Sequence, residues 1–363
     1  MKIIISGGGT GGHVFPAIAI AKAIRKIEPN ADILFVGAKG KIEMEKVPNA
    51  GFPIKGLWIS GFYRQLTLKN LLFPFKLLSS LMSAWLILKK FKPNVAVGVG
   101  GFASGPTLFM AARSGVPTLI QEQNSYAGVT NKLLASKVSK VFVAYDNMER
   151  FFGNKIIFTG NPVREEIVQN IEDIKEVSLQ HFNLDADKLT VLIIGGSLGA
   201  RTINNAMENN FEVIKKRQDI QYIWQCGKLY YDEFSLRKTA QLPNVLLTKF
   251  IDRMDLAYAM ADVVISRAGA TSISELCLVG KPTILVPSPN VAEDHQTKNA
   301  MALVEKNAAV LIKDMEASEK MINKAQSVLD NQSQQLELST NIKSLGKRNA
   351  AEVIAKEIIS LVK

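Results

Sequence analysis

The chain has 363 residues, 47% hydrophobic and 21% charged, with 25 Gly and 13 Pro: enough for two domains with separate cores, and unlike a single small binding module, a disordered chain, collagen or a coiled coil. Its two cysteines, Cys226 and Cys277, stand far apart behind an N-terminus without a secretory signal, so a reducing cytoplasm is expected and neither is read as a metal ligand. The net charge of +11 is uneven, with 20 Lys and Arg against 7 Asp and Glu in residues 1–163 but 24 against 26 in residues 164–363; the first half is expected to meet nucleic acid, an anionic membrane surface or a phosphorylated substrate.

The first element is the strand KIIIS, followed by the turn GGGTGGHVFP and a helix through Ala17 to Lys26. Gly7, Gly9 and Gly12 satisfy G-x-G-x-x-G, which raises a dinucleotide-binding dehydrogenase. The next strand, DILFV, argues against it: it runs into Gly37-Ala38-Lys39 with no carboxylate for a ribose diol, and Asp32 stands at the opposite end. His13 lies where a helix begins, with Pro16 expected in the first turn. The positive end of the helix disfavours imidazolium, which suits a general base, although a lone His there can also be a cap.

Beyond the strand PIKGLW, residues 66–92 form a dense apolar stretch edged by Lys69, Lys76, Lys89, Lys90 and Lys92. Its longest uncharged run, Leu77 to Leu88, is too short and too rich in Ser to span a bilayer, which needs about 20 residues. Two readings stand: a core helix with a solvated basic edge, or an interfacial patch in which Leu71, Leu72, Phe73, Phe75 and Trp85 meet an anionic leaflet.

The runs NVAVGV, PTLIQ, KVFVAY and KIIFT continue a βα alternation that predicts a parallel sheet covered by helices. Gly160 to Glu166 (GNPVREE) interrupts it and marks a domain boundary, with a hinge expected at Asn161 and Pro162. Arg164 in this segment is either a solvated linker cation or one that neutralises a departing diphosphate. Asp185 and Asp187 precede the next strand and are read as a turn, so no metal is inferred. A second series follows: LTVLIIGG, IQYIWQ, NVLLT, ADVVIS and KPTILVP. The fold class is therefore α/β, with two doubly wound units in tandem.

Each unit opens with a strand, a glycine turn and a helix. In the second, Gly195 to Ala200 brings Ser197 and backbone N–H groups to a helix start, either a diphosphate cradle or a plain turn. Gly269, Thr271 and Ser272 precede Glu275, which could accept both ribose hydroxyls of a nucleotide; Ser272-x-x-Glu275 is equally a capping box that needs no ligand. Asp294, His295, Gln296 and Asn299 stand at a further strand-to-helix junction, where amide groups can donate to and accept from sugar hydroxyls at once.

The segments GGTGGHVFPA, GVGGFASGP with QEQNSYAG, GNPVR, GGSLGA, FIDRM, RAGATSISE and EDHQTKNA run in order from residue 6 to 300. Together they resemble the motif set of the MurG family of N-acetylglucosaminyltransferases over nearly the whole chain. The resemblance implies a GT-B fold, two Rossmann-like domains facing across a cleft: an acceptor- and membrane-facing domain, 1–163, joined by the C-terminal helix 346–363, and a UDP-GlcNAc-binding domain, 164–345. It implies an inverting transfer of GlcNAc from UDP-GlcNAc to the 4-hydroxyl of undecaprenyl-diphospho-MurNAc-pentapeptide (lipid I to lipid II). The work would be done at the cytoplasmic face of the membrane by a peripheral protein, with no cofactor, no metal and no nucleic acid.

Carried over by motif, His13 is the implied base, and Thr10, Gly11 and Gly12 line the donor and acceptor diphosphates. Asn124 binds GlcNAc hydroxyls. Arg164 and Ser197 hold the UDP phosphates, with Arg164 assisting departure, and Ile251 contacts uracil through its backbone. Ala270, Thr271, Ser272, Ile273, Ser274 and Glu275 embrace sugar and ribose, Glu275 on the diol, and Gln296 reads the donor sugar. His295 departs from the family, which often has a second amide there.

Overall fold

The computed structural model describes residues 1–61, 72–163, 167, 174–196 and 198–362, with only the backbone of Ala292. The chain divides into two compact units, Met1–Arg164 with Asn349–Lys363, and Glu165–Arg348.

The first unit is built on β1 (Lys2–Ser6), β2 (Asp32–Ala38), β3 (Ile54–Leu57), β4 (Val95–Gly98), β5 (Thr118–Glu122), β6 (Lys140–Val143) and β7 (Ile156–Phe158). They pair in parallel in the order β3-β2-β1-β4-β5-β6-β7. Ile3, Ile4 and Ile5 are all fully buried, because a parallel sheet is covered on both faces and its strands need unbroken apolar runs. Ile3 and Ile5 pack with helix Gly11–Ile27 on one side, and Ile4 joins Leu34, Val36 and Leu88 on the other.

Helix Gly11–Ile27 starts within the glycine turn, so Pro16 falls past the first turn, where the sequence pattern had placed it. Lacking an N–H, Pro16 cannot serve the Gly12 carbonyl as an interior residue would. The C-terminal helix Ala350–Ser360 packs on this helix. It adds Ile354, Ala355 and Ile358 to the first unit's core, each buried Ile contributing about 1.5–3 kcal/mol, and Glu357 pairs with Lys140 at 2.6 Å.

The second unit repeats the plan with β8 (Leu189–Ile194), β9 (Ile220–Gln225), β10 (Val245–Thr248), β11 (Val263–Ser266), β12 (Thr283–Leu285) and β13 (Val310–Leu311). Their order is β10-β9-β8-β11-β12-β13, again parallel. The edge strand β13, two residues long, has no period to read in the sequence. Buried Trp224 donates its indole N–H to Asn204 Oδ1 (3.0 Å), and Asn204 Nδ2 donates to the Cys226 carbonyl (2.9 Å). This pair ties helix Arg201–Asn209, which follows the second glycine turn, to the end of β9.

Helix Phe73–Phe91 buries only Ser80, Ala84 and Leu88, one narrow stripe at a spacing of four. Phe75, Leu78, Met82 and Leu86 are more than half exposed, and Leu72 and Trp85 are also on the surface. Trp58, 47% exposed, joins them: Ser80 Oγ donates to its carbonyl and Lys76 Nζ lies 5.8 Å from its ring. The helix is thus not a core helix with a polar edge, because its apolar side faces outward, bordered by Lys76, Lys89, Lys90 and Lys92. Lys69 and Leu71, counted with this patch in the sequence, lie outside the described residues. No helix among the described residues is long and apolar enough to cross a membrane.

Candidate active site

In both sheets the strand order reverses beside the first strand of the unit, between β1 and β4 and between β8 and β11. Such switch points open the C-terminal strand ends to ligands. The glycine turns follow β1 and β8, so each stands at its unit's switch point.

After β1 the backbone passes through Gly8 (φ +144°) and Gly9 (φ +89°) to Thr10, the N-cap of helix Gly11–Ile27. Thr10 uses no side-chain cap; its hydroxyl lies 3.2 Å from His13 Nδ1 instead. When Nδ1 carries the proton and donates to this hydroxyl, Nε2 is the basic atom of the ring. The other edge of the ring rests on Gly100, where a Cβ would stand 2.7 Å from Cδ2 and 2.9 Å from Nε2. The loop after β4 therefore has glycine there because His13 occupies the space. A Cβ at Gly9 would meet nothing within 4 Å, and one at Gly12 only Thr10 Oγ1 at 3.7 Å, so the backbone here is open to approach.

Asn124, just beyond β5, is oriented by a carboxylate. Buried Glu122 accepts from the Asn124 N–H (3.0 Å) and Nδ2 (3.1 Å) on one oxygen, and from the Gly128 N–H (2.9 Å) and Asn131 Nδ2 (2.8 Å) on the other. Four bonds to one charged group make this loop stiff. Asn161, where a hinge was expected, is buried and bonded within the first unit: its Oδ1 accepts from Gln121 Nε2 (2.8 Å) and its Nδ2 donates to the Gln123 carbonyl (2.9 Å). Glu122 and Gln121 had no assigned part in the sequence reading; the only signal was their place beside Asn124 in QEQN.

In the second unit, Gly199 (φ +84°) closes its turn against β9, since a Cβ would stand 2.0 Å from the Cys226 carbonyl oxygen. Gly196 faces open space, its carbonyl held by Gln225 Nε2 at 2.8 Å. Ser197 and Arg164 lie outside the described residues. Ile251 is buried beyond β10, next to a short ion pair: the Arg253 guanidinium bonded to Asp255 at 2.6 Å holds that carboxyl below the usual carboxylate range.

Helix Ala270–Val279 begins at Gly269, which caps without a side chain. Ser272 is therefore inside the helix and cannot be the N-cap that a capping box with Glu275 requires. Glu275 is 4% exposed and accepts from Tyr258 Oη at 3.2 Å. Thr271 Oγ1, in the first turn, is buried with no hydrogen-bond partner among the described residues, Ser274 Oγ donates to the Ala270 carbonyl (2.9 Å), and Ala270 and Ile273 are buried. Cys277 on the same helix is inert, because burial pushes its thiol up to about 12.

Gln296 stands in the first turn of helix His295–Val304, entered through Glu293 (φ +54°) and Asp294 (φ +52°). Its carbonyl oxygen accepts from the Ser288 N–H at 2.8 Å, which orients the amide; its NH2 and the second lone pair of that oxygen are the groups a sugar hydroxyl would meet. Asn299 is fully buried and belongs to the core. The Asp187 N–H donates to the Asp185 carboxylate (3.0 Å), forming the turn read from the sequence.

Compared with known proteins, residues 3–143 match the glycosyltransferase family 28 N-terminal domain and residues 190–357 the glycosyltransferase family 28 C-terminal domain. A Bacteroides thetaiotaomicron protein named UDP-N-acetylglucosamine–N-acetylmuramyl-(pentapeptide) pyrophosphoryl-undecaprenol N-acetylglucosamine transferase is 56% identical over 99% of this chain and 98% of its own. The crystal structure of Acinetobacter baumannii MurG superposes with a TM-score of 0.77 at 27% identity, covering 99% of both chains. A UDP-GlcNAc 2-epimerase from Neisseria meningitidis bound to UDP-GlcNAc has a TM-score of 0.72 at 15% identity, covering 99% of this chain and all of that one, and shares the fold alone.

Proposed function

The chain belongs to the MurG family within glycosyltransferase family 28, and from that premise we propose how its residues carry out the family's reaction. It is a UDP-GlcNAc-dependent N-acetylglucosaminyltransferase that converts lipid I to lipid II in peptidoglycan synthesis. The observation that carries the donor assignment is the start of helix Ala270–Val279, which brings together backbone N–H groups, the Thr271 hydroxyl, without a partner among the described residues, and buried Glu275 one turn on.

In this reading the second unit holds the donor. Glu275 accepts from the ribose diol, Ala270 to Ser274 line the sugar and diphosphate, Ile251 meets uracil through its backbone, and the Gln296 NH2 donates to a GlcNAc hydroxyl. Ser197, and Arg164 at the end of the first unit's main segment, bind the UDP phosphates. The first unit serves the acceptor and reaches the donor: Thr10, Gly11 and Gly12 line the donor and acceptor diphosphates, Asn124 binds the GlcNAc hydroxyls of the donor, and His13 takes the proton from the 4-hydroxyl of the muramoyl sugar. That oxygen bonds to the anomeric carbon as the bond to UDP breaks, with inversion. Helix N-termini and Arg164 stabilise the departing diphosphate, a charge that fixed donors can carry.

Transfer of label from UDP-GlcNAc to a short-chain lipid I analogue in detergent with a chelator tests the reading. The expected product is a disaccharide lipid whose formation needs the acceptor and no added metal. Nucleotide sugar left untouched or epimerised would overturn it.

The first unit's charge and the outward face of helix Phe73–Phe91 suit an anionic bilayer at the cytoplasmic face, with Leu72, Phe75, Trp85 and Trp58 meeting the lipid. Basic residues near such a surface contribute about 1 kcal/mol each. Changing Lys69, Lys76, Lys89 and Lys90 together to Gln should reduce cosedimentation with anionic vesicles at least about tenfold and leave activity on the detergent-dispersed acceptor intact. Unchanged vesicle binding would remove this face from the membrane role.

A further inference from the structure

The turn from Gly8 to His13 is held at Gly9 by a residue outside the site described above. Glu43, the first residue of helix Glu43–Asn49, is 1% exposed. Its Oε2 accepts from the Gly9 N–H at 2.8 Å and its Oε1 from the Ala38 N–H at 2.9 Å. Ala38 is the last residue of β2, so one buried carboxylate joins the end of that strand to the glycine turn after β1. The fit is close on both sides: a Cβ on Gly8 would stand 2.2 Å from the carboxylate, and one on Gly37 2.5 Å from Glu43 Cγ. Dinucleotide-binding units place an acidic side chain at the end of the second strand and turn it toward a ribose. Here the carboxylate comes from the next helix and turns inward, onto the loop.

We infer that Glu43 is a positioning residue for the acceptor half of the site. It fixes Gly9, and so sets where the helix starts and where Thr10 and His13 stand; it also withdraws the Gly9 N–H from phosphate binding and leaves that work to Gly11 and Gly12. The inference rests on the assignment of His13 and the glycine turn to the acceptor. A carboxylate can accept from both N–H groups at once, whereas a Gln amide must turn its NH2 toward one of them, losing a bond and opposing two donors.

The test is Glu43→Gln in the full chain. Small displacements of a catalytic group cost up to about 100-fold, so kcat should fall roughly 10- to 100-fold, while UDP affinity, carried chiefly by residues of the second unit, stays within about threefold. Amide hydrogen exchange of residues 8–13 should quicken, a readout independent of turnover. In a His13→Ala background Glu43→Gln should lower kcat little further, because the two act on the same step. A kcat within about threefold of the parent with unchanged exchange overturns the inference, as does an equal further loss in the His13→Ala background. Should Glu43→Gln fail to fold, Glu43→Asp, too short to span both N–H groups, is judged by the same outcomes. Near-normal turnover of His13→Ala alone would sink the base assignment, and the exchange measurement would still decide whether Glu43 holds the loop.

Discussion

His13→Ala is expected to lower kcat by about 10²- to 10⁴-fold, the usual contribution of a positioned general base, with UDP affinity unchanged within about threefold. The asymmetry follows from the structure. His13 is in the first turn of helix Gly11–Ile27, in the first unit, and its ring touches Thr10 and Gly100. The nucleotide-binding candidates Glu275, Thr271 and Gln296 all belong to the second unit. Steady-state kinetics with both substrates varied, together with calorimetry for UDP, separates the effects. Turnover within about tenfold of the parent would assign proton removal elsewhere.

Glu275→Ala is expected to weaken UDP about 10- to 100-fold, since hydrogen bonds to a charged group contribute about 1.5–3 kcal/mol. Two structural facts make this more than a loss of helix stability. The helix starts at Gly269, so Glu275 does not cap it, and the carboxylate is 4% exposed with one oxygen bonded to Tyr258 Oη. A carboxylate has sites for several donors at once, so a diol can bind beside Tyr258. The diagnostic control is 2′,3′-dideoxy-UDP: the parent should bind it more weakly than UDP, and the variant should bind the two alike. If the variant still prefers UDP by the parent's factor, Glu275 does not read the ribose.

The site was only partly legible before the fold was known. His13 and the turns around it stood out because glycine runs next to apolar strands are rare and local. Glu275 was visible as a residue but not as a role, because a capping box and a ribose acceptor have the same sequence; the start of the helix, three residues earlier than the box needs, removes the box. Glu122 was marked only by its place beside Asn124 in QEQN, and Glu43 carried no signal. Glu43 meets Gly9 across 34 residues, and nothing in the run KIEMEKVP says which carboxylate turns inward.

The sequence by itself determined the two α/β units, the strands with unbroken apolar runs, the glycine turns and the motif order that marks the family, because these are properties of short segments and of their periods. Only the tertiary structure decided which polar groups the folded chain uses up. It placed the Glu43 carboxylate on the first glycine turn, oriented the Gln296 amide on the Ser288 N–H, and left the Thr271 hydroxyl without a partner among the described residues. It also turned the apolar side of Phe73–Phe91 outward by covering a single stripe. Hydrophobic period is written in neighbouring residues, whereas burial and hydrogen-bond partnership depend on what the rest of the chain brings alongside.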